Sequence, residues 1–392
     1  MGAKNIGRSE RYMLRGALKK NGFDRCRFVT NGVNAITGEE KSFFVEFYVV
    51  NPALSPDECV LGFKSRHVVV AEDLQYALAG TQAAKSLQSE EFVQPSFVMV
   101  KAGVFGEGGK HVNSYFPTGK LQVSHSEFIL KVGDESRGYC QLSDDSSYGT
   151  VSVSNSELNV HPEYLCQSGT ISWNVHFEKQ IGFSHDFRSK DLNWSSFGAK
   201  TDFEGKFSLD GVEYVVKKES SHGYIDKNWG KNFSSPFFHL SASDFTSIIN
   251  GKKLKNSCLA LEGVFNNSIS VLTSIEGNNV EFHANRHKKY SAKYECTEMP
   301  EDEDGIQLHW SISVNDRKCI VDIDIFCNTN EMFVRDYESP EGKRKVMKVL
   351  GGGTGRGELK VYHRIKKNLE LIECVRISGA LCEFGNIDLP EV

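Results

Sequence analysis

From about residue 40 onward the chain is a succession of short runs rich in Val, Ile, Phe and Tyr, each broken by a turn dipeptide. This patterning constrains the fold more than any other feature. β-Branched and aromatic residues fit a pleated, half-buried surface, and Asp-Gly or Asn-containing pairs supply the backbone that tight hairpins need. The stretches KSFFVEFYVV, FSLDGVEYVVK, SISVLTSIEGNNVEFHA, IQLHWSISVNDRKCIVDIDIF and GELKVYHRIKKNLELIECVRI each read as part of a hairpin, with turns expected at Asp210-Gly211, Gly277-Asn278-Asn279 and Asn315-Asp316. Antiparallel meanders follow, so the expected fold class is all-β. Two segments carry helical signals: Ser9 to Lys20, with Ser9 as N-cap and Asn21-Gly22 as the stop, and Glu72 to Leu87.

A length of 392 residues exceeds one average domain. Two lobes in contact are expected, residues 1–235 and 236–392, with the seam near Pro236. The net charge is −5 and no strongly basic segment stands out, which argues against a nucleic-acid partner. The N-terminal MGAKNIGRSERYMLRG has charges where a signal peptide needs an apolar core, and no apolar run approaches the roughly 18 residues of a membrane helix. A cytoplasmic protein without a transmembrane segment is expected, with peripheral membrane contact left open and the oligomeric state unspecified. Ten cysteines are scattered without any CxxC, a pattern of reduced, buried thiols with neither a disulfide framework nor a zinc knuckle.

Most motif candidates dissolve on inspection. GGGTGRGE, Gly351 to Glu358, lacks the Lys-Ser/Thr of a phosphate loop and runs into an alternating segment, ELKVYHRI, so a loop or bulge entering a strand is expected. His283 and His287 in HANRH are four apart, a metal spacing only on a helix, and the local pattern is β. The segment SSHGYIDKNWGKNFSSPFFHLSASDF, Ser220 to Phe245, is different. As a strand it would place His222, Tyr224, Asp226 and Asn228 on one face and Ile225, Lys227 and Trp229 on the other. That ladder is either solvent-facing or a polar patch inside an apolar barrel. Glu46 raises the same question within FFVEFYVV.

HGYIDKNWGKNFSSPFFHLSASDF resembles the hallmark segment of the tocopherol cyclase family, of the form Y-x-E/D-K-N-W-G, then F-P, then an aromatic strand. RGELKVYHR at Arg356 to Arg364 resembles that family's late G-E-L-K strand. SGALCEFGN at Ser378 to Asn386 resembles its closing A-x-x-E-x-G segment, and EEKSFFVEFYVVNP its opening F-F-E-G-W-Y-F strand. The resemblance spans nearly the whole chain in order. In the opening motif the Glu is displaced by one position and the Gly-Trp pair is missing, and the family's Phe-Pro is stretched into FSSP, changes that reshape a ligand cavity more than a fold.

The resemblance implies two lipocalin-like antiparallel β-barrel or sandwich lobes preceded by a short N-terminal helix, akin to carotenoid hydratases, with no cofactor and no metal. It also implies acid-catalysed cyclisation or hydration of an alkene in a prenylated or otherwise hydrophobic substrate, an isomerase-type activity. Such chemistry needs a carboxylic acid kept protonated by burial, aromatic faces for the developing cation, and walls that exclude water. Asp226 is the expected acid with Glu46 in reserve. His222 or Asn228 would orient the acid, Tyr224, Trp229 and Phe237 would face the cation, and His239 would line the site. The largest apolar pocket is expected to touch Trp229 or Phe237. Two other readings stay open: a barrel that only binds or carries a lipophilic ligand, and a carbohydrate-active β-sandwich with an open groove of aromatic platforms and paired carboxylates.

Overall fold

The computed structural model describes residues 11–62, 93–124, 127–136, 138–183, 187–189, 191–264, 268–284, 290–301, 303, 305–343, 345–366 and 368–386. The described chain is nearly all β and forms a closed barrel and a half-barrel sheet. The first, 13-stranded sheet begins with the neighbours Lys110–Phe116, Phe97–Phe105, Glu40–Val50 and Phe23–Asn34, then continues through Val212–Val216, Leu192–Leu209 and Gly169–Ile181 to Leu121–Val123. Gly223–Gly230 is inserted between Phe23–Asn34 and Leu192–Leu209. The second, 12-stranded sheet runs from Asn278–Phe282 through Ser268–Ile275, Cys258–Val264, Phe237–Ala242, Asn368–Gly385, Val346–Ile365, Cys319–Asn328 and Gln307–Asn315 to Ser291–Glu298.

The turns follow the local chemistry. Asp210 and Gly211 both take positive φ, 49° and 87°, between the paired residues Leu209 and Val212, the geometry of a two-residue hairpin. In the Ser268–Ile275 hairpin the turn lies one residue earlier than expected. Glu276 and Gly277 are the positive-φ pair, because a two-residue turn closes the register more tightly than the three-residue stretch anticipated. The glycine run Gly351 to Gly357 lies within the strand Val346–Ile365, with register shifts against the neighbouring strand between Gly352 and Gly355 and between Gly355 and Gly357. It is a bulged strand.

The N-terminal helix shrinks to a single 3-10 turn, Gly16–Lys19. Arg11 to Arg15 are not helical; Tyr12 and Leu14 are buried against the first core instead, so tertiary burial overrides the weak helical propensity. The helix expected over Glu72 to Leu87 lies outside the described residues, apart from which a short α-helix forms at Asn155–Val160, with Ser154 accepting from the Glu157 amide. No helix among the described residues is long and apolar enough to cross a membrane.

Each sheet has its own apolar core: Phe28, Phe43, Val100, Trp173, Phe203 and Phe207 belong to the first, and Phe238, Leu261, Trp310, Ile323 and Ile377 to the second. Two smaller clusters lie between the sheets. One joins Phe44, Trp194 and Tyr224 to Ala260 and Leu381, and the other joins Phe23 and Tyr48 to Phe237, Tyr337 and Met347. The cysteines are all free thiols.

Candidate functional site

Between those two clusters the sheets face each other with charge. On the first sheet Asp226, Arg27, Glu46 and Lys101 are successive cross-strand partners and form a row on one face. On the second sheet Glu262, His239 and Glu383 form a matching row that continues to Gly351. All seven of these side-chain-bearing polar residues are buried. Alternation explains the placement: Phe28, Val45 and Ile225, one position off the row, point into the first core. Gly351 is required by the row itself, because a Cβ there would lie 2.5 Å from Arg335 Nη2.

The rows interlock. Arg27 donates through Nε to Asp226 Oδ1 at 2.7 Å and through Nη2 to Asp226 Oδ2 at 3.0 Å, while its Nη1 reaches Glu383 Oε1 at 2.6 Å. Arg335 donates to Glu46 Oε1 at 2.8 Å and also to Glu383. Tyr337 donates to Glu46 Oε2 at 2.6 Å. Arg25 donates to Asn228 Oδ1 at 2.6 Å, and Asn228 Nδ2 donates to Glu262 Oε1 at 2.7 Å. Trp194 Nε1 and the Tyr224 hydroxyl both donate to Asp226 Oδ2, at 2.9 and 3.1 Å. His239 Nδ1 lies 3.3 Å from Glu262 Oε2.

The carboxyl groups separate into two kinds. Burial acts to raise Asp226, but the Arg27 charge beside it, with His239, the Arg27 hydrogen bonds and Arg25, outweighs this and holds the carboxyl below its usual range. Glu46 is likewise subject to burial and is held low by Arg335, Arg25, Lys101 and Arg27. Glu383 lies well below the usual range because Arg27 and Arg335 outweigh its burial. Glu262 goes the other way. Burial comes first, the Asp226 charge adds to it, and together they push Glu262 well above the usual carboxyl range, favouring its acid form. Burial and the Arg27 charge hold His239 down to about 3, so its imidazole is neutral. The geometry then fits a proton on Glu262 Oε2 directed at an unprotonated His239 Nδ1.

The residues named from sequence divide accordingly. Tyr224, Asp226, Asn228, His239 and Glu46 come together in the network. Phe237 stacks on His239, with centroids 6.2 Å apart and an interplanar angle of 3°, and the Arg25 guanidinium sits 5.8 Å from its ring centroid. The expectation that Asp226 or Glu46 has a raised pKa is corrected: alternation does keep Lys227 on the other face, paired with Asp24 at 2.9 Å, but Arg27 takes its place. His222 is not in the network. It precedes the strand and is half-buried, 3.4 Å from Glu40 and 4.0 Å from Asp244. Trp229 shares the Lys227 side of the strand and is turned away. Sequence reasoning missed Arg25, Arg27, Lys101, Trp194, Glu262, Arg335, Tyr337 and Glu383. The available signal was charge set among apolar neighbours, one acid each in LALEGV and ALCEFG and the two arginines of FDRCRFV.

Asp226, His239 and Glu262 bring ligand-type atoms within 4.8 Å of one another. Both Asp226 oxygens are already engaged by one guanidinium, so a cation there would have to displace Arg27 against its own charge; the donor set suits a proton better than a metal ion. Two grooves are described elsewhere. One, of about 510 Å³, is lined by Tyr139, Tyr148, Trp173 and Glu213, and the other, of about 440 Å³, by Phe326, Glu331, Arg356 and Glu358. Neither is lined by Trp229 or Phe237. Of the aromatic rings that a carbohydrate platform would use in the first, Trp173 is buried.

No protein-family model matches the chain, and no curated protein matches it. Among solved structures it is similar to kievitone hydratase from Nectria haematococca, with 9% identity, a TM-score of 0.43 and coverage of 97% of this chain and 93% of that one. It is also similar to an AttH candidate from Nitrosomonas europaea, with 9% identity, a TM-score of 0.42 and coverage of 91% and 92%. What the buried site can do is read from its own residues.

Proposed function

We propose that this protein is a tocopherol cyclase-like acid catalyst that adds the elements of an oxygen nucleophile across an alkene in a prenylated or otherwise hydrophobic substrate, by hydration or cyclisation. One observation carries the reading: in a single buried site Arg27 grips both oxygens of Asp226 and favours its ionised form, while Glu262 meets only Asn228 and His239 and burial favours its acid form. This is the division of labour by which paired carboxyls serve acid chemistry.

The Glu262 carboxylic acid gives its proton to the less substituted alkene carbon, and the π electrons form the new C–H bond. The tertiary cation left behind meets the Asp226 carboxylate and the ring faces of Trp194, Tyr224 and Phe237, which stabilise positive charge. An oxygen, either the substrate's own phenol or a water, donates an electron pair to the cation, and its proton returns to the Glu262 carboxylate with neutral His239 beside it as an alternative acceptor. Asp226, expected from sequence to be the acid, acts here as the fixed anion, because Arg27 keeps it ionised.

Mass spectrometry of lipid extracted from the purified protein identifies the substrate class, and turnover of that compound in deuterated water places one deuterium on carbon if the reading is right. Full burial of the network favours a second reading, in which it is a structural clasp and the protein carries a lipophilic ligand without changing it. Under that reading the extracted lipid is recovered unlabelled.

A further inference from the structure

We infer that the end of the second sheet bearing the Ile365 turn is a docking surface for an anionic lipid bilayer. Six of the fourteen large apolar side chains exposed among the described residues gather there: Ile248 at 42%, Ile249 at 58%, Ile365 and Leu369 at 47%, Leu371 at 46% and Ile372 at 42%. They are contiguous. Ile365 and Asn368 are paired across the tip of the long hairpin Val346–Ile365/Asn368–Gly385, and Leu369 and Leu371 lie opposite Arg364 and Tyr362. The Ile248 amide donates to the Cys374 carbonyl at 2.7 Å, which places the Ile248-Ile249 loop beside the same strand. Exposed single aliphatics are ordinary, but a gathered set rimmed by polar residues marks an interaction surface.

Two features choose the occupant. The flanking strand Asp244–Ser247 covers only Val375 to Ser378 of its partner, so residues 369–373 form an edge. That edge is broken by a register shift at Val361 and Tyr362, which leaves Ile372 without an opposite residue. A bulged edge is poor at accepting a strand from another protein. The rim is basic: Lys252, whose carbonyl accepts from the Ser247 amide, and Arg364 and Lys366 at the hairpin tip are exposed beside the aliphatics, against Glu370, while Lys253 is engaged by Asp244 and Glu373 accepts from Ser247. A projecting apolar tip ringed by cations suits insertion among anionic headgroups. The patch lies on a different part of the molecule from the buried network and does not depend on the catalytic reading.

Vesicle flotation tests it, using phosphatidylcholine vesicles with and without phosphatidylserine, the wild-type chain, and Leu371→Glu combined with Ile249→Glu. The wild type is expected to float with the serine-containing vesicles, less so as salt rises, and the variant to lose at least about tenfold in partitioning at an unchanged melting temperature. Wild-type protein that floats with neither vesicle, or equally with both, overturns the proposal, as does a variant that floats like wild type. Sedimentation velocity covers the remaining occupant: wild-type self-association that the variant abolishes, without vesicle binding, assigns the face to a second copy and overturns the bilayer.

Discussion

Arg27 and Glu383 stand 356 positions apart in sequence, and their side chains meet at 2.6 Å with both fully buried. Through this contact the first strand of one sheet is tied to the last strand of the other, and the same guanidinium fixes the charge of Asp226. Buried pairs of this kind cost desolvation that their attraction only roughly offsets, whereas removing one partner leaves the other charged and uncompensated. Arg27→Met is therefore expected to destabilise the fold by about 3–5 kcal/mol in urea denaturation. Combining it with Asp226→Asn should restore part of that loss, because one stranded anion is removed. Additive costs in that double variant would deny the coupling.

The catalytic reading separates Glu262 from Asp226. Glu262→Gln preserves shape and the bond from Asn228 but removes the transferable proton, so turnover of the extracted substrate class is expected to fall by about 10² to 10⁴ with the melting temperature held or raised. Asp226→Asn should lower stability as well as turnover, since it leaves Arg27 half-compensated. An undiminished rate in Glu262→Gln would end its candidacy as the acid.

The pH dependence of stability carries a signature of the same pair. His239 is neutral in the fold down to about 3, whereas the unfolded imidazole takes its proton near 6.5. Its contribution is lost as pH falls from about 6.5 toward 3. Glu262 has a raised folded value; its contribution is present below the unfolded value of about 4.3 and is lost as pH rises toward the folded one. Between roughly pH 4.5 and 6.5 the unfolded chain gains a proton at His239 and lacks one at Glu262, so the two slopes oppose each other. Glu262→Gln removes one of them and should expose a steepening of roughly 1 kcal/mol per pH unit across that window, with stability rising with pH. Parallel wild-type and variant curves would contradict the assigned protonation states.

Gly351 tests the fit of the two rows. Its missing Cβ leaves room for Arg335 Nη2, so Gly351→Ala must push aside the arms that hold Glu46 and Glu383. A loss of about 1–3 kcal/mol in urea denaturation is expected, and an Ala variant as stable as the wild type would deny the tight fit.

Much of the fold was legible because hairpins are local. Asp210-Gly211 and the strands beside it follow from residues within ten positions, and the bulged character of the Gly351 segment follows from its composition. The site was legible only in part. Tyr224, Asp226 and Asn228 showed themselves as a polar ladder, but what protonation state Asp226 takes depends on Arg27, nearly two hundred residues away in the chain. Glu262 looked like one more acidic residue until its apolar neighbours Leu261 and Leu259, buried in the second core, were seen to fix which way its carboxyl points. The N-terminal segment misled for a related reason: Ser9 and Asn21-Gly22 offer cap and stop signals, but Tyr12 and Leu14, two apart as in extended chain, bury against the barrel.

The interlocked rows also bear on how the molecule comes into being. A ribosome releases Arg27 in the first strand of the barrel and Asp226 in its last, but Glu383 only in the last described strand of the second sheet. The first sheet can therefore complete its own Arg27–Asp226 pair while the third arm of that guanidinium still waits for its partner. Its inner face toward the second sheet stays wet until the last strand arrives, and closure of that face is a late, long-range event of the kind that slows folding of antiparallel β proteins and lengthens the exposure of unpaired strand edges to chaperones or to one another.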